Sequence, residues 1–392
     1  MEMGRIVVTV SLLVVLGGGC KTGRDAAADA PQQRAPAPES AANPDIEDMI
    51  DSLVSAEALA RGVPGVAVAI VSEGKIVVQG GYGIADVATG RKVTDTTPFN
   101  IASVTKPFTA AAVQMLAADG RIRLDTPVGT YLPMPTVYSQ ITVRQLLTHT
   151  SGIARDLRRD NDDDPDAAEY RRRLNASEPS AQPGTRFEYS NTGFTVLGWM
   201  VEAREGQPLE EVLRRRLFVP LGMHQARYRT SLAQDPARAR PYEVVRGVPA
   251  PAPFITGGFG SGGLSLSAAD FAAFAVALQE GRFLSPSQIE DAWTPGKLAD
   301  GSQARARINT DSDGYGFGWF ITSFAGHRLM THGGGITGFS ANLYHFPDER
   351  LTIAVVANVK GRDDGVAPVD PLARRIAEAF LARRADGKDG GD

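Results

Sequence analysis

The chain has 392 residues, 43% apolar and 22% charged, enough for a sizeable globular core in one large or two ordinary domains. A formal net charge of −4 leaves no basic footprint for nucleic acid. Five scattered histidines form neither H-E-x-x-H nor a Cys/His cluster, so neither a metal site nor a cofactor is expected.

Arg5 precedes an apolar run, IVVTVSLLVVL at 6–16, followed by GGGC at 17–20. A basic start, an apolar segment too short to span a bilayer and a run of small residues make a signal peptide over residues 1–20. Cys20 is the only cysteine, which excludes an internal disulfide framework. Ending such a segment on Cys resembles a bacterial lipoprotein signal, which implies a lipidated Cys20, a membrane partner through that anchor and a place in the cell envelope. Gly17 stands where the usual lipoprotein pattern has Leu, with Leu16 one position earlier, so a plain secretory signal is the alternative. Residues 21–43, rich in Ala, Pro, Gln and charge, read as a flexible tether; they contain a KTG triplet at 21–23.

The folded domain is expected over residues 44–385, with 386–392 a disordered tail. Asn43-Pro44 opens a helix with Ile46, Met49, Ile50 and Leu53 at helical spacing. GVAVAIV at 65–71 and KIVVQGGYG at 75–83, joined by Glu73-Gly74, predict a β-hairpin. The stretch 104–120, Ala-rich with Phe108, Ala111 and Met115 inward, predicts a helix that stops at Gly120. From there to about Thr310 the pattern is mainly helical with loops. Strands return from Tyr315 as GFGWFIT, HRLMTHG, ANLYHF and LTIAVVAN, before a closing helix over 371–384. Strands at both ends around a helical block imply one antiparallel sheet split by an insertion, an α+β fold.

Ser103 and Lys106, at the mouth of the Ala-rich helix, stand three apart and share one helical face. Ser72 and Lys75 have the same spacing but flank a hairpin turn, so spacing alone decides nothing. A serine hydroxyl needs a base, and lysine serves only with a lowered pKa, which burial and a helix N-terminus both favour. Two further motifs follow: Tyr189-Ser190-Asn191, the only Tyr-x-Asn in the chain, and His332-Gly333-Gly334. No G-x-S-x-G elbow is present. The acidic run DNDDDPD at 160–166, flanked by arginines, lacks the Gly and Glu of a calcium loop and reads as a solvated surface loop. His149 in LTHTSG fits a structural hydrogen bond within that turn better than a triad base.

The order Ser-x-x-Lys, Tyr-x-Asn, His-x-Gly resembles the penicillin-recognising serine hydrolases, specifically the class C β-lactamase-like family of esterases and D-amino-acid peptidases. LLTHTSGI, QPGTRFEYSN, PLGM and GGLSLSAADFAAF support it, and the resemblance spans about residues 46–384. It implies the β-lactamase/penicillin-binding-protein-like fold, an antiparallel sheet flanked by helices with an inserted, mainly helical subdomain. It also implies an acyl-serine hydrolase acting on esters, amides or D-amino-acid peptides. A dedicated β-lactamase or D-Ala-D-Ala carboxypeptidase, and a non-catalytic peptidoglycan-binding protein, are the alternatives.

By that resemblance, Ser103 attacks a carbonyl while Lys106 and Tyr189 relay its proton. The Ser103 and Gly335 backbone amides hold the oxyanion, Asn191 holds Lys106 and a substrate amide, and Gly333, Gly334 and Gly335 let substrate backbone approach the strand edge. Tyr189 is expected to have its pKa lowered by a cationic Lys106. His332 stands where penicillin-binding proteins and β-lactamases usually carry Lys, so it is expected to bind a substrate carboxylate in a pH-dependent way near pH 6.5.

Overall fold

The computed structural model describes residues 44–160, 162–229, 233–306, 312–360 and 369–385. The signal peptide, Cys20, the tether, the Asn43 cap and the C-terminal tail lie outside the described residues.

Helix α1 (Pro44–Glu57) presents Ile46, Ile50 and Val54 to the core, while Met49 and Leu53 are only partly covered. Strands β1 (Gly65–Ser72) and β2 (Lys75–Asp86) form the expected hairpin. Glu73 and Gly74 both have positive φ, 52° and 74°, which turns the chain with the right twist for a two-residue hairpin. A two-residue strand β3 (Arg91–Lys92) closes this side of the sheet. A 3-10 turn at Ala102–Val104 leads into helix α2 (Thr105–Ala118). Helix α3 (Asn191–Glu205) and helix α4 (Ala268–Gln279) follow in the middle of the chain. Five strands then complete the sheet: β4 (Ser312–Tyr315), β5 (Phe320–Phe324), β6 (His327–Ile336), β7 (Phe339–Phe346) and β8 (Leu351–Ala357). Helix α5 (Val369–Ala385) ends the domain.

The sheet order is β3-β2-β1-β8-β7-β6-β5-β4, with β1 and β8 antiparallel neighbours. The expected split antiparallel sheet is therefore the one observed. Every residue of β1 from Gly65 to Val71 is buried because both sheet faces are covered. Val66, Val68 and Ile70 join the cluster under α1 and α5, while Ala67, Ala69 and Val71 face the larger cluster with Phe108, Phe271 and Val356. The small Ala side chains on that second face let α4 lie close against β1. Burying a Val or Ile here contributes about 1.5–3 kcal/mol.

The middle block is mainly helical, as expected, and also carries short strands that the sequence reading did not place. Phe99–Asn100, Leu264–Leu266 and Arg227–Tyr228 form a small three-stranded sheet, and Tyr242–Val245 pairs with Val248–Pro251. The first of these strands sits just ahead of Ser103, so the small sheet helps set the start of α2.

Candidate active site

Ser103 lies in the 3-10 turn that feeds α2, with Lys106 one turn on. Lys106 is fully buried (0% exposed), and its Nζ reaches three oxygens. These are Ser103 Oγ at 3.1 Å, Asn191 Oδ1 at 2.9 Å and the Ser261 carbonyl at 2.9 Å. The carbonyl and the amide oxygen can only accept. A neutral amine gives them its two hydrogens and keeps its lone pair for the Ser103 hydroxyl. Burial favours that state, holding Lys106 well below the usual lysine range; Asp156 opposes the shift and Arg158 adds to it.

The decoy pair has no such setting. Ser72 accepts a hydrogen bond from Arg384 at 2.7 Å, and Lys75 is exposed at the hairpin end.

Asn191 is the first residue of α3, whose N-cap Ser190 accepts from the Gly193 N–H at 3.0 Å. The Arg155 carbonyl accepts from the Asn191 N–H at 2.8 Å. Asn191 Nδ2 donates to Asp156 Oδ2 at 2.7 Å, which turns Oδ1 toward Lys106. Asp156 also pairs with Arg158 at 2.9 Å, and its carboxyl stays below the ordinary range despite burial because of hydrogen bonds from Arg158 and Asn191.

The arginine-flanked acidic run is an exposed loop at Asp160, Asp162, Asp164 and Asp166, as the sequence reading has it, and it also makes specific contacts. Asp156, Arg158, Asp163 and Arg173 are partly covered. Asp162 accepts from Thr337 Oγ1 at 2.6 Å, and Asp164 accepts from the Thr256 N–H at 2.8 Å. The run thereby ties the turn after β6 to the loop that carries Thr256.

Tyr189 places its ring 4.7 Å from Lys106 Nζ. The expected lowering of its pKa is not what the surroundings give. Burial pushes the phenol up, and a hydrogen bond with Ser103 and the charges of Arg155 and Arg158 only oppose this. A neutral Lys106 supplies no cation to pull it down. The resting pair is thus a neutral amine beside a neutral phenol.

His332, Gly333, Gly334 and Gly335 lie on β6 beyond the last residue paired with β5, where Thr331 faces Phe320. His332 and Gly334 point to the α2 side. A Cβ on Gly334 would sit 2.3 Å from the Ile101 carbonyl and 3.2 Å from the Ser103 nitrogen, so only glycine lets the strand lie this close to Ser103. Around Gly333 and Gly335, on the opposite face, the same test meets nothing within 4 Å.

His332 is not the pH-dependent cation the sequence implied. It is 1% exposed, and burial brings its pKa down to about 3; Lys106, whenever protonated, adds to that shift, and the bond to Gly333 opposes it. Its Nδ1–H donates to the Gly333 carbonyl at 2.7 Å, which leaves Nε2 to accept from the Tyr315 hydroxyl at 3.1 Å. Both ring nitrogens serve the protein interior. His149 is buried too, and its Nδ1 accepts from the Ser190 N–H at 3.1 Å, a structural bond between two loops rather than within the turn.

Beside Tyr189 and Gly333 a cavity of about 390 Å³ opens along the outer face of β6 and β7 to α5. That volume suits a small ligand. Among the described residues no group of three or more His, Cys, Asp or Glu could hold a metal ion.

The profile of the Beta-lactamase family matches residues 46–378, most of the chain. The chain belongs to that family. Esterase EstB of Burkholderia gladioli is 31% identical over 376 aligned residues, 81% of this chain and 91% of the esterase. The putative penicillin-binding protein PbpX of Bacillus subtilis (strain 168) is 29% identical over 67% of this chain. That match spans 63% of PbpX, less than two thirds of its length. Among solved structures, D-amino acid amidase from Ochrobactrum anthropi SV3, complexed with L-phenylalanine amide, has a TM-score of 0.71 and 25% identity. The likeness covers 87% of this chain and 99% of the amidase.

Four residues of this β-lactamase-family site escaped the sequence reading. Ser261 and Asp156 contribute the contacts to Lys106 and Asn191 described above, and Tyr315 contributes the bond to His332. Asn100, 1% exposed, accepts from the Ala102 N–H through Oδ1 at 2.9 Å and donates to the Ile255 carbonyl at 3.2 Å. It thereby supports Ala102, which has a positive φ of 46° immediately before Ser103. The adjacent Asn-x-Ala before the Ser motif was the available signal, but its partner carbonyl lies far along the chain.

Proposed function

We propose that the chain is an acyl-serine hydrolase acting on esters, amides or D-amino-acid peptides. The observation that carries this reading is the Ser103–Lys106 contact, with the two hydrogens of a neutral amine already directed at Asn191 and Ser261. The Lys106 lone pair takes the Ser103 proton as Oγ bonds to the substrate carbonyl carbon. The carbonyl oxygen becomes an oxyanion, held by the backbone N–H groups of Ser103 and Gly335. Its collapse breaks the bond to the leaving group, which takes a proton from Tyr189; Lys106 returns its proton to Tyr189. Water then attacks the acyl-serine, losing its proton to the same pair, and Ser103 leaves with a proton restored. Esterase and D-amino acid amidase relatives support this substrate range.

The chain is further proposed to be exported and lipid-anchored at Cys20 through residues 21–43. No helix among the described residues is long and apolar enough to cross a membrane.

A fluorophosphonate probe should label the Ser103 peptide and stop hydrolysis of p-nitrophenyl esters and D-amino-acid amides. Equal labelling of Ser103→Ala and the parent would overturn the assignment. Cys20→Ser should move active protein from the membrane to the soluble fraction; a parent protein already soluble would leave the plain secretory signal.

A further inference from the structure

With both ring nitrogens of His332 turned to the protein interior, the cavity beside Tyr189 lacks the cation expected of that position. Another group stands in its place. Arg155 is exposed and lines the same cavity as Tyr189, His332 and Gly333. Its backbone carbonyl is fixed by the Asn191 and Thr192 N–H groups at 2.8 and 3.4 Å, so the residue's position is set by the start of α3. Among the described residues no carboxylate pairs with its guanidinium. Its neighbour Asp156, the obvious candidate, is already occupied by Arg158 and Asn191.

The other charges in the cavity do not compete for the role. At its far end Asp370 accepts from Asn342 Nδ2, the Tyr344 hydroxyl and Arg374 Nε, each at 2.9 Å. That carboxylate is satisfied, and it offsets the charge of Arg374. Between the two ends Phe320, Phe324 and Leu329 give an apolar wall. The cavity therefore holds one uncompensated positive charge at the Tyr189 end and an apolar surface beside it.

We propose that Arg155 is a specificity-determining residue that binds a carboxylate on the substrate, selecting monoanionic acyl compounds with an apolar group next to the charged one. The planar guanidinium offers paired donors matched to a carboxylate. One free cation, with Asp370 further along, favours a single negative charge over two. This proposal rests on the acyl-serine reading of the same site.

The test separates the two. Calorimetric binding of 3-phenylpropionate, of its neutral amide and of the dianion phenyl phosphate is measured in Ser103→Ala protein, which needs no turnover. The carboxylate should bind about tenfold tighter than the amide, as a charge-assisted hydrogen bond gives. It should also bind tighter than the dianion. Adding Arg155→Gln should abolish the preference, and Arg155→Lys should keep part of it. In the active enzyme, the ratio of kcat/KM for a hemisuccinate ester over the matched butyrate ester should fall about tenfold in Arg155→Gln. A carboxylate preference that is missing, or that survives Arg155→Gln, overturns the proposal; tighter binding of the dianion reassigns the site to phosphate and also overturns it. A preference that Arg155→Gln removes in protein whose Ser103 no probe labels upholds Arg155 and sinks the acyl-serine reading instead.

Discussion

Asn191 takes its orientation from Asp156: one carboxylate oxygen accepts the Asn191 amide hydrogen at 2.7 Å, so the amide oxygen faces Lys106 at 2.9 Å. A side-chain amide left alone can turn over and present a donor instead of an acceptor to the amine. Asp156 prevents this from a loop that touches neither Ser103 nor Tyr189 directly in any hydrogen bond described above.

Asp156→Ala should therefore lower kcat/KM by roughly tenfold, the size of a lost hydrogen bond to a charged group. It should also move the acid limb of the pH profile to lower pH. The negative charge of Asp156 favours protonated Lys106, so its removal makes the neutral amine easier to form. A profile displaced upward, or not at all, would show that Asp156 acts only as scaffolding.

Gly334 and Gly333 should respond oppositely to a methyl group. Gly334→Ala forces a Cβ against the Ile101 carbonyl and should cost about 1–3 kcal/mol of stability while slowing fluorophosphonate labelling of Ser103. Gly333→Ala meets open space and should leave stability unchanged or raise it by up to about 1 kcal/mol, since glycine weakens a strand interior. Urea unfolding of the two variants, with labelling rates measured in parallel, makes the comparison.

Tyr315→Phe removes the donor to His332 Nε2 and leaves a buried acceptor unmatched. The cost should be about 1–3 kcal/mol. The imidazole also holds the Gly333 carbonyl, so the strand segment facing substrate loses a fixed peptide plane. Because that segment is proposed to stabilise the oxyanion, kcat and kcat/KM should fall together with KM little changed. A rise in KM alone would assign Tyr315 to substrate binding.

Three buried histidines set an acid limit on stability. His332 and His345 are brought down to about 3 and His149 is also lowered, in each case first by burial. Unfolded, each binds a proton near pH ~6.5; folded, none does until far lower. The unfolded state thus takes up more protons below that point, and stability present above it is lost as pH falls. His332 and His345 each contribute up to ~1.4 kcal/mol per pH unit over the window from ~6.5 down toward 3, and His149 acts in the same direction below ~6.5. Urea unfolding at pH 7, 6 and 5 should show the slope, and His345→Gln should reduce it by about one proton. His345 bonds to Thr352 at 2.9 Å and lies tilted against the Trp293 ring, outside the site described above.

The parts of the site that the sequence made legible are those whose spacing is local. Ser103 and Lys106 meet because they share a helix face, as their spacing predicts. The protonation states were not legible, because burial around Tyr189 and His332 comes from Tyr315 and Phe320 on other strands. Asp156 looked like one acid among many in a charged loop, and only the folded chain sets it against Asn191. The main sheet was readable from its apolar runs. Strands of two or three residues, such as Phe99–Asn100 and Leu264–Leu266, are too short to carry a period.

The pairing of β1 with β8, Val66 opposite Ala357, joins the two ends of the domain at the centre of its sheet. During synthesis β1 and β2 emerge from the ribosome early, yet the partner for the exposed edge of β1 is made almost last. Until then an apolar strand stands unpaired, a template for association with other chains. Loop closure over such a distance also slows folding. A nascent chain stopped before Leu351 should therefore be held by chaperones and contain no reactive serine, because Gly334, which packs against the Ser103 backbone, lies on the strand pair that β8 completes.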